Sequence, residues 1–170
     1  MTTVNCRATD RTSTCDYAEL QTAAHKMIAA QFLRHLIAAE PYRLHTVLTD
    51  HGIQFTNRTR DRYAFHHIFG RVCQEYGIDH RLTNTNHPWT NGQVERMNRT
   101  LKEATVRKYY YQTHQHSKKH LHAFQMAYNF AKRLKTLHGL TPYEDICQCW
   151  QKEPKRFTID PYHHTLGLNT

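Results

Sequence analysis

Apolar residues fall at helical spacing along residues 22–39, where Ala24, Ile28, Phe32, Leu36 and Ala39 share a face and Pro41 closes the segment. The same periodicity predicts helices over 65–76, with Gly77 as the stop, and over 120–134, with Leu121, Phe124, Tyr128, Ala131 and Leu134 on one side. A further helix is predicted from Asn91 to about Tyr110, striped by Val94, Met97, Leu101 and Ala104. Thr141-Pro142-Tyr143-Glu144 reads as a capping box with Pro at the first helical position, so a last short helix starts there. Residues 3–10 and 14–20 read as two short strands around the polar turn Asp10-Arg11-Thr12-Ser13. His45 to Thr49 is a β-branched and aliphatic run that ends at Asp50, and Ile78 to Leu82 can form another strand. Strands that give way to alternating strand and helix predict an α/β domain over 1–150, followed after Trp150 by an irregular tail over 151–170.

Composition adds a partner class. Lys and Arg total 23 against 14 Asp and Glu, a formal net charge of +9. Such a balance favours a polyanion, either nucleic acid or an acidic membrane surface, without choosing between them. No run of about 20 apolar residues appears, so no membrane span is expected. The opening MTTVNCRATD lacks the apolar stretch of a signal peptide. The five Cys form no C-x-x-C and read as free thiols in a reducing cytoplasm. His66, His67, His114, His116, His120 and His122 have no Cys pair at finger spacing beside them and read mostly as solvated or DNA-facing.

Three acids stand at informative positions. Asp10 ends the first strand, Asp50 ends the HTVLT strand, and Glu95 falls in the first turn of a helix. Mg²⁺ takes few protein ligands, all hard oxygens, because it keeps waters and binds phosphate directly. Three carboxylates at the ends of adjacent elements can supply such a site for two metals. Each acid alone has a plainer account as a turn, cap or helix N-terminal residue. At about 100° per residue, Arg99 and Lys102 project within about 40° of Glu95, opposite the apolar stripe. Surface ion pairing explains that face blandly; metal ligation beside phosphate-gripping cations explains it functionally. Trp89 reads equally as a loop anchor or a DNA contact, and Tyr109-Tyr110-Tyr111 as a helix end packed on the core.

The segments TVLTDHGIQFT and NHPWTNGQVERMNRTLKEATV closely resemble the integrase core of bacterial insertion-sequence transposases, relatives of retroviral integrases. DRTSTCDYAEL resembles the first-aspartate segment of that family, and AYNFAKRLKTLHGLTPYE with HHTLGLNT its C-terminal stretch. The resemblance implies an RNase H-like α/β fold with a mixed central sheet flanked by helices. It implies a D-D-E site in which Asp10, Asp50 and Glu95 are the catalytic acids and the ligands of two Mg²⁺, for which Mn²⁺ substitutes. The implied activity is DNA strand cleavage and 3′-hydroxyl strand transfer between transposon ends and target DNA. The implied partners are those DNAs and further copies of the chain, in a bacterial cytoplasm. Arg99 and Lys102 match positions that touch DNA near such sites, and Asn91 lies in the family's mobile active-site loop.

Three departures stand out. Position 51 is His where the family usually has Asn, and the expectation is that His tolerates the left-handed turn. The first strand, residues 3–9, is too polar for a buried central strand. The helix-turn-helix region that family members carry upstream is expected to be missing. The main alternative is therefore a truncated or inactive remnant that binds DNA without cutting it. An RNase H-type nuclease is disfavoured by NGQVERMNRTLK, and a membrane-surface protein by the lack of a helix that joins a large apolar face to a basic one.

Overall fold

The computed structural model describes residues 4–21, 23–57, 66–83, 92, 99–100 and 113–163. The predicted helix from Asn91 to about Tyr110 lies outside them, apart from helical backbone at Gly92, Arg99 and Thr100. Trp89 and the three consecutive tyrosines also lie outside.

Strands β1 (Val4–Thr9) and β2 (Asp16–Gln21) form an antiparallel hairpin with Thr9 opposite Asp16. The turn between them is longer than the sequence pattern suggested. The Asp10 carboxylate accepts hydrogen bonds from the Ser13 N–H (2.9 Å), the Ser13 hydroxyl (2.5 Å) and the Thr12 N–H (3.3 Å). Thr14 follows at φ +56, a left-handed conformation that a β-branched residue adopts only when its surroundings hold it there. Arg7 and Asp16 form a bidentate ion pair inside the hairpin, with side chains 2% and 0% exposed. A polar β1 is thus accommodated by pairing its charge.

Helix α1 spans Lys26–Ala39, so it starts later than the periodicity suggested, and Ala24 is exposed ahead of it. Its buried face is Ala29, Ala30, Phe32, Leu33 and Leu36. Phe69, Val72 and Cys73 of α2 (Ile68–Glu75), together with Ile78, pack against that face to make the main core. Burying a Leu or Phe side chain is worth about 1.5–3 kcal/mol, so this seam fixes α1 on α2. Strand β3 (Thr46–Thr49) pairs in parallel with β4 (Asp79–Leu82), the α2 crossover lying between them.

Helix α3 runs His114–Phe130, six residues earlier at its start than predicted and four earlier at its end. The side chain of Thr113 caps it by accepting from the His116 N–H. Leu134, expected on that helix, is extended backbone after it. Helix α4 (Pro142–Lys152) begins with both bonds of the predicted capping box: Thr141 Oγ1 accepts from the Glu144 N–H, and Glu144 Oε2 accepts from the Thr141 N–H. The residues after α4 include two short 3-10 helices, Pro154–Arg156 and Pro161–His163, and are docked on the domain. Tyr42 bridges to Phe157, the Thr158 N–H reaches the Pro41 carbonyl, and Pro161 is buried.

The described strands therefore form two separate two-stranded ladders, with no ladder between β1 and β3. Among the described residues no helix is long and apolar enough to cross a membrane, and all five cysteines are free thiols.

Candidate functional site

Asp50 follows the last residue of β3 and its side chain is exposed. Its carboxylate accepts from the Gly52 N–H at 2.8 Å, closing an Asx turn. Two histidines fasten this loop. His51 Nε2–H donates to the Thr83 carbonyl (2.8 Å), tying the loop to the end of β4. His67 Nε2–H donates to the Ile53 carbonyl (3.2 Å), while its Nδ1 accepts from the Phe69 N–H and caps α2. That arrangement requires neutral His67, and burial lowers its pKa accordingly. His80 is lowered by burial as well and is hydrogen-bonded to the Thr49 hydroxyl at 2.8 Å. Sequence reasoning missed these positioning roles: it grouped His67 with histidines read mostly as solvated or DNA-facing. The turn at position 51 forms as expected but without a left-handed His51, since the described non-glycine residues at positive φ are Thr14 and His138. His51 holds the turn through its ring instead.

Asp10 and Asp50 line one cavity of about 670 Å³, with Arg7, Glu40 and the apolar face of α1. They line it from opposite ends. The charge of Asp10 is felt by Glu40 and Tyr42, just past the C-terminal end of α1, and by Asp145 and Cys149 of α4. The Asp50 loop reaches the other end of α1 through His67, which senses Lys26. A helix of 14 residues separates those ends by about 20 Å. Asp10 is thus held on the side of α1 where Glu40 lies, and Asp50 in the loop that reaches Lys26 at the start of that helix. The carboxylate of Asp10 is occupied by the donors of its own turn.

Glu95, Lys102 and Asn91 lie outside the described residues. Arg99 is described, helical and exposed. Among the described residues no group of three or more His, Cys, Asp or Glu side chains is arranged to hold a metal ion.

Near Asp10 lies a buried acidic cluster. Glu40 is 6% exposed and its Oε2 has no hydrogen-bond partner among the described residues. Burial raises its pKa to about 7, the Tyr42 hydroxyl opposes that, and the charges of Asp10 and Asp16 add to it. Burial likewise pushes up Asp16, against the pull of Arg7.

Residues 76–142 match the Integrase core domain family. An uncharacterized Caenorhabditis elegans protein is 32% identical over 62 residues; the match covers 36% of this chain and only 4% of that protein. The catalytic core domain of BIV integrase superposes with a TM-score of 0.68 at 20% identity, covering 89% of this chain and 90% of that one. A chain of the simian T-cell lymphotropic virus intasome, solved with a PP2A regulatory subunit, superposes with a TM-score of 0.66 at 20% identity over 84% of this chain and 47% of its own. The fold is accordingly the RNase H-like α/β fold of integrase catalytic cores, and residues 76–142 are similar to the Integrase core domain family.

Proposed function

We propose that the chain is the core of a metal-dependent polynucleotidyl transferase that cleaves DNA and joins its 3′-hydroxyl to a target, as insertion-sequence transposases of bacteria do. The observation that carries this reading is Asp50: an exposed carboxylate at the end of a parallel strand, in a loop fastened by His51 and His67, on an integrase-core fold. The matched segment 76–142 includes Glu95, Arg99 and Lys102. Asp50 and Glu95 offer the hard oxygen donors that Mg²⁺ takes, and Mn²⁺ would fit the same donors. Asp10 does not fit the same site, and we assign it to the hairpin turn. When bound, the metal supplies Lewis-acid activation of the attacking and leaving oxygens. The chain's own contribution is to hold Asp50 rigidly and to seat DNA phosphates on Arg99, Lys102 and the backbone near Asn91. The partners are transposon-end and target DNA, with further copies of the chain, in the bacterial cytoplasm.

The Asp10 carboxylate, bonded to the donors of its own turn, favours a second reading, a remnant that binds DNA without cutting it. A nicking and strand-transfer assay with Mg²⁺ or Mn²⁺ separates the two. Under the first reading, Asp50→Asn and Glu95→Gln abolish both reactions and leave DNA affinity within about threefold, since phosphate contacts come from Lys and Arg. DNA binding with no metal-dependent cleavage by the unaltered chain would establish the second.

A further inference from the structure

Glu40 stands directly before a linker that a later part of the chain grips. Its backbone N–H closes α1 on the Leu36 carbonyl, and Pro41, Tyr42 and Arg43 lead on towards β3. Residues 154–163, which follow α4, lie across those three as a strap. The Pro41 carbonyl accepts from the Thr158 N–H (2.8 Å) and the Thr158 hydroxyl (3.0 Å). The Arg43 N–H donates to the Arg156 carbonyl (3.1 Å), and the Tyr42 and Phe157 rings meet edge to face at 6.0 Å. Tyr42 also donates to the Glu40 carboxylate, so one side chain touches both the buried acid and the strap.

The Oε2 of Glu40 has no hydrogen-bond partner among the described residues. Its surroundings are poor company for a negative charge. Asp10, Cys15, Asp16 and Tyr17 of the hairpin face it, and Asp16 is already paired with Arg7. Tyr42 faces it from the linker. Glu40 lies between two cavities. His35 with its partner Glu19, Lys118 and His122 border one, and Arg11 and Arg81 border the other, but Oε2 bonds to none of them. Of the strap's own charges, Arg156 pairs with Glu153. An ionised carboxylate in such a place is relieved most simply by water. Admitting water means moving a neighbour. Helix α1 is fixed in the main core. The hairpin turn is fixed by the bonds to Asp10 and by the Asn129 amide on the Asp16 backbone. The strap meets the linker through the few bonds above and one ring contact, and segments held that way open first. Because Glu40 and Pro41 are consecutive, a shift of the carboxylate towards water also pulls on the carbonyl that Thr158 holds.

We propose that residues 154–163 form a proton-linked strap, clamped on residues 41–43 while Glu40 is neutral and released from them when Glu40 ionises. The device stands apart from the proposed DNA chemistry, so a failed cleavage assay leaves it untouched. Its direction follows from linkage. Burial keeps Glu40 protonated up to about 7 under the docked strap, and water returns it towards 4.5. Between those values the docked state holds the extra proton, so opening becomes easier as pH rises through the window and levels off above it.

The test is native-state hydrogen exchange on the full chain from pH 5 to 8, each rate divided by its intrinsic rate. The Arg43, Thr158 and Ile159 amides report the strap, the Asp10 amide on the Cys15 carbonyl reports the hairpin turn, and α2 reports the core. Strap opening should rise about tenfold or more from pH 5 to 7 and level off above, and in Glu40→Gln it should change by less than about threefold. Equal profiles in the two proteins overturn the proposal, and so does a Glu40-dependent rise at the turn or in α2. A second measurement is independent of that variant. Phe157→Ala loosens the strap, and by reciprocity the Glu40 carboxyl, followed by carbon-13 NMR, should then titrate about one unit lower or more. A titration that stays at about 7 in that variant overturns the proposal as well, because the strap then does not cover Glu40.

Discussion

Glu40 concentrates the electrostatic strain of the molecule in one side chain. It sits at the C-terminal end of α1, buried beside Cys15 and Tyr42, within reach of the charges of Asp10 and Asp16, with one carboxyl oxygen unpartnered among the described residues. Its folded-state pKa is raised from 4.5 to about 7. Between those values the folded chain holds a proton that the unfolded chain has lost, so stability falls as pH rises through the window. The contribution is complete below 4.5 and gone above about 7. The slope from this group is at most about 1.4 kcal/mol per pH unit. Glu40→Gln, which keeps the shape and removes the charge, should flatten that fall and make the chain more stable than the unaltered one at pH 8. Urea unfolding at a series of pH values reads this directly, and an unaltered pH profile in the variant would show that Glu40 is already relieved by a neighbour. Asp10 is separable by the same method. As the acceptor for three donors in its turn, it should cost about 1–3 kcal/mol when replaced by Ala. Lost cleavage with undiminished stability would instead return Asp10 to the site.

The elements around Asp50 are held by their ends more than by their interiors. Helix α2 closes with the two bonds of a Schellman motif, Ile78 N–H to the Cys73 carbonyl and Gly77 N–H to the Gln74 carbonyl, and Gly77 lies at φ +66. This turn delivers the chain straight into β4, the strand on which β3, directly ahead of Asp50, is registered. A Cβ at Gly77 meets nothing within 4 Å, so Gly77→Ala should cost only the conformational term, about 1 kcal/mol. A loss of several kcal/mol in chemical denaturation would mean that the turn also packs against something further. Such end signals are what the sequence displays best: Gly77, the Thr141 box and the HTVLT strand ending at Asp50 were all legible, because each depends on a local pattern of few residues. The start of α3 was not legible, since HQHSKKH has no apolar period and its helix rests on the Thr113 cap. The hold of the hairpin turn on the Asp10 carboxylate was not legible either. An acid at the end of a strand looks the same whichever way that strand runs, and direction is decided by how β1, β3 and α1 pack. The split between the two described ladders belongs to the same class of fact: the polarity of residues 3–9 warned of an unusual strand, but not that β1 and β3 would stand in separate ladders.

Across the whole molecule the formal charge of +9 meets an integrase-core fold in which Arg99 is helical and exposed. A surplus of this size attracts any polyanion, so net charge by itself predicts binding that is weak, fast and sequence-blind. A positioned set of cations predicts something sharper. Each phosphate neutralised at a fixed contact releases condensed counterions, so log affinity falls linearly with log salt, by about 0.9 per contact on duplex DNA. On the helical spacing that the sequence predicts, Arg99 and Lys102 would share a face with Glu95, and duplex approaching Glu95 would meet both. Replacing both with Ala should therefore reduce the salt slope by about 1.8 and weaken binding equally on unrelated sequences, since phosphate contacts carry no sequence information. Replacing two exposed Lys elsewhere, Lys118 and Lys119 at the solvated start of α3, removes the same net charge. That control should weaken binding slightly and leave the slope nearly as it was. Stability should move little in either double variant, because exposed charges contribute under about 1 kcal/mol each. Equal slopes in the two variants, measured by fluorescence anisotropy from low to physiological salt, would reduce the DNA affinity of the chain to its bulk charge and remove Arg99 and Lys102 from the site.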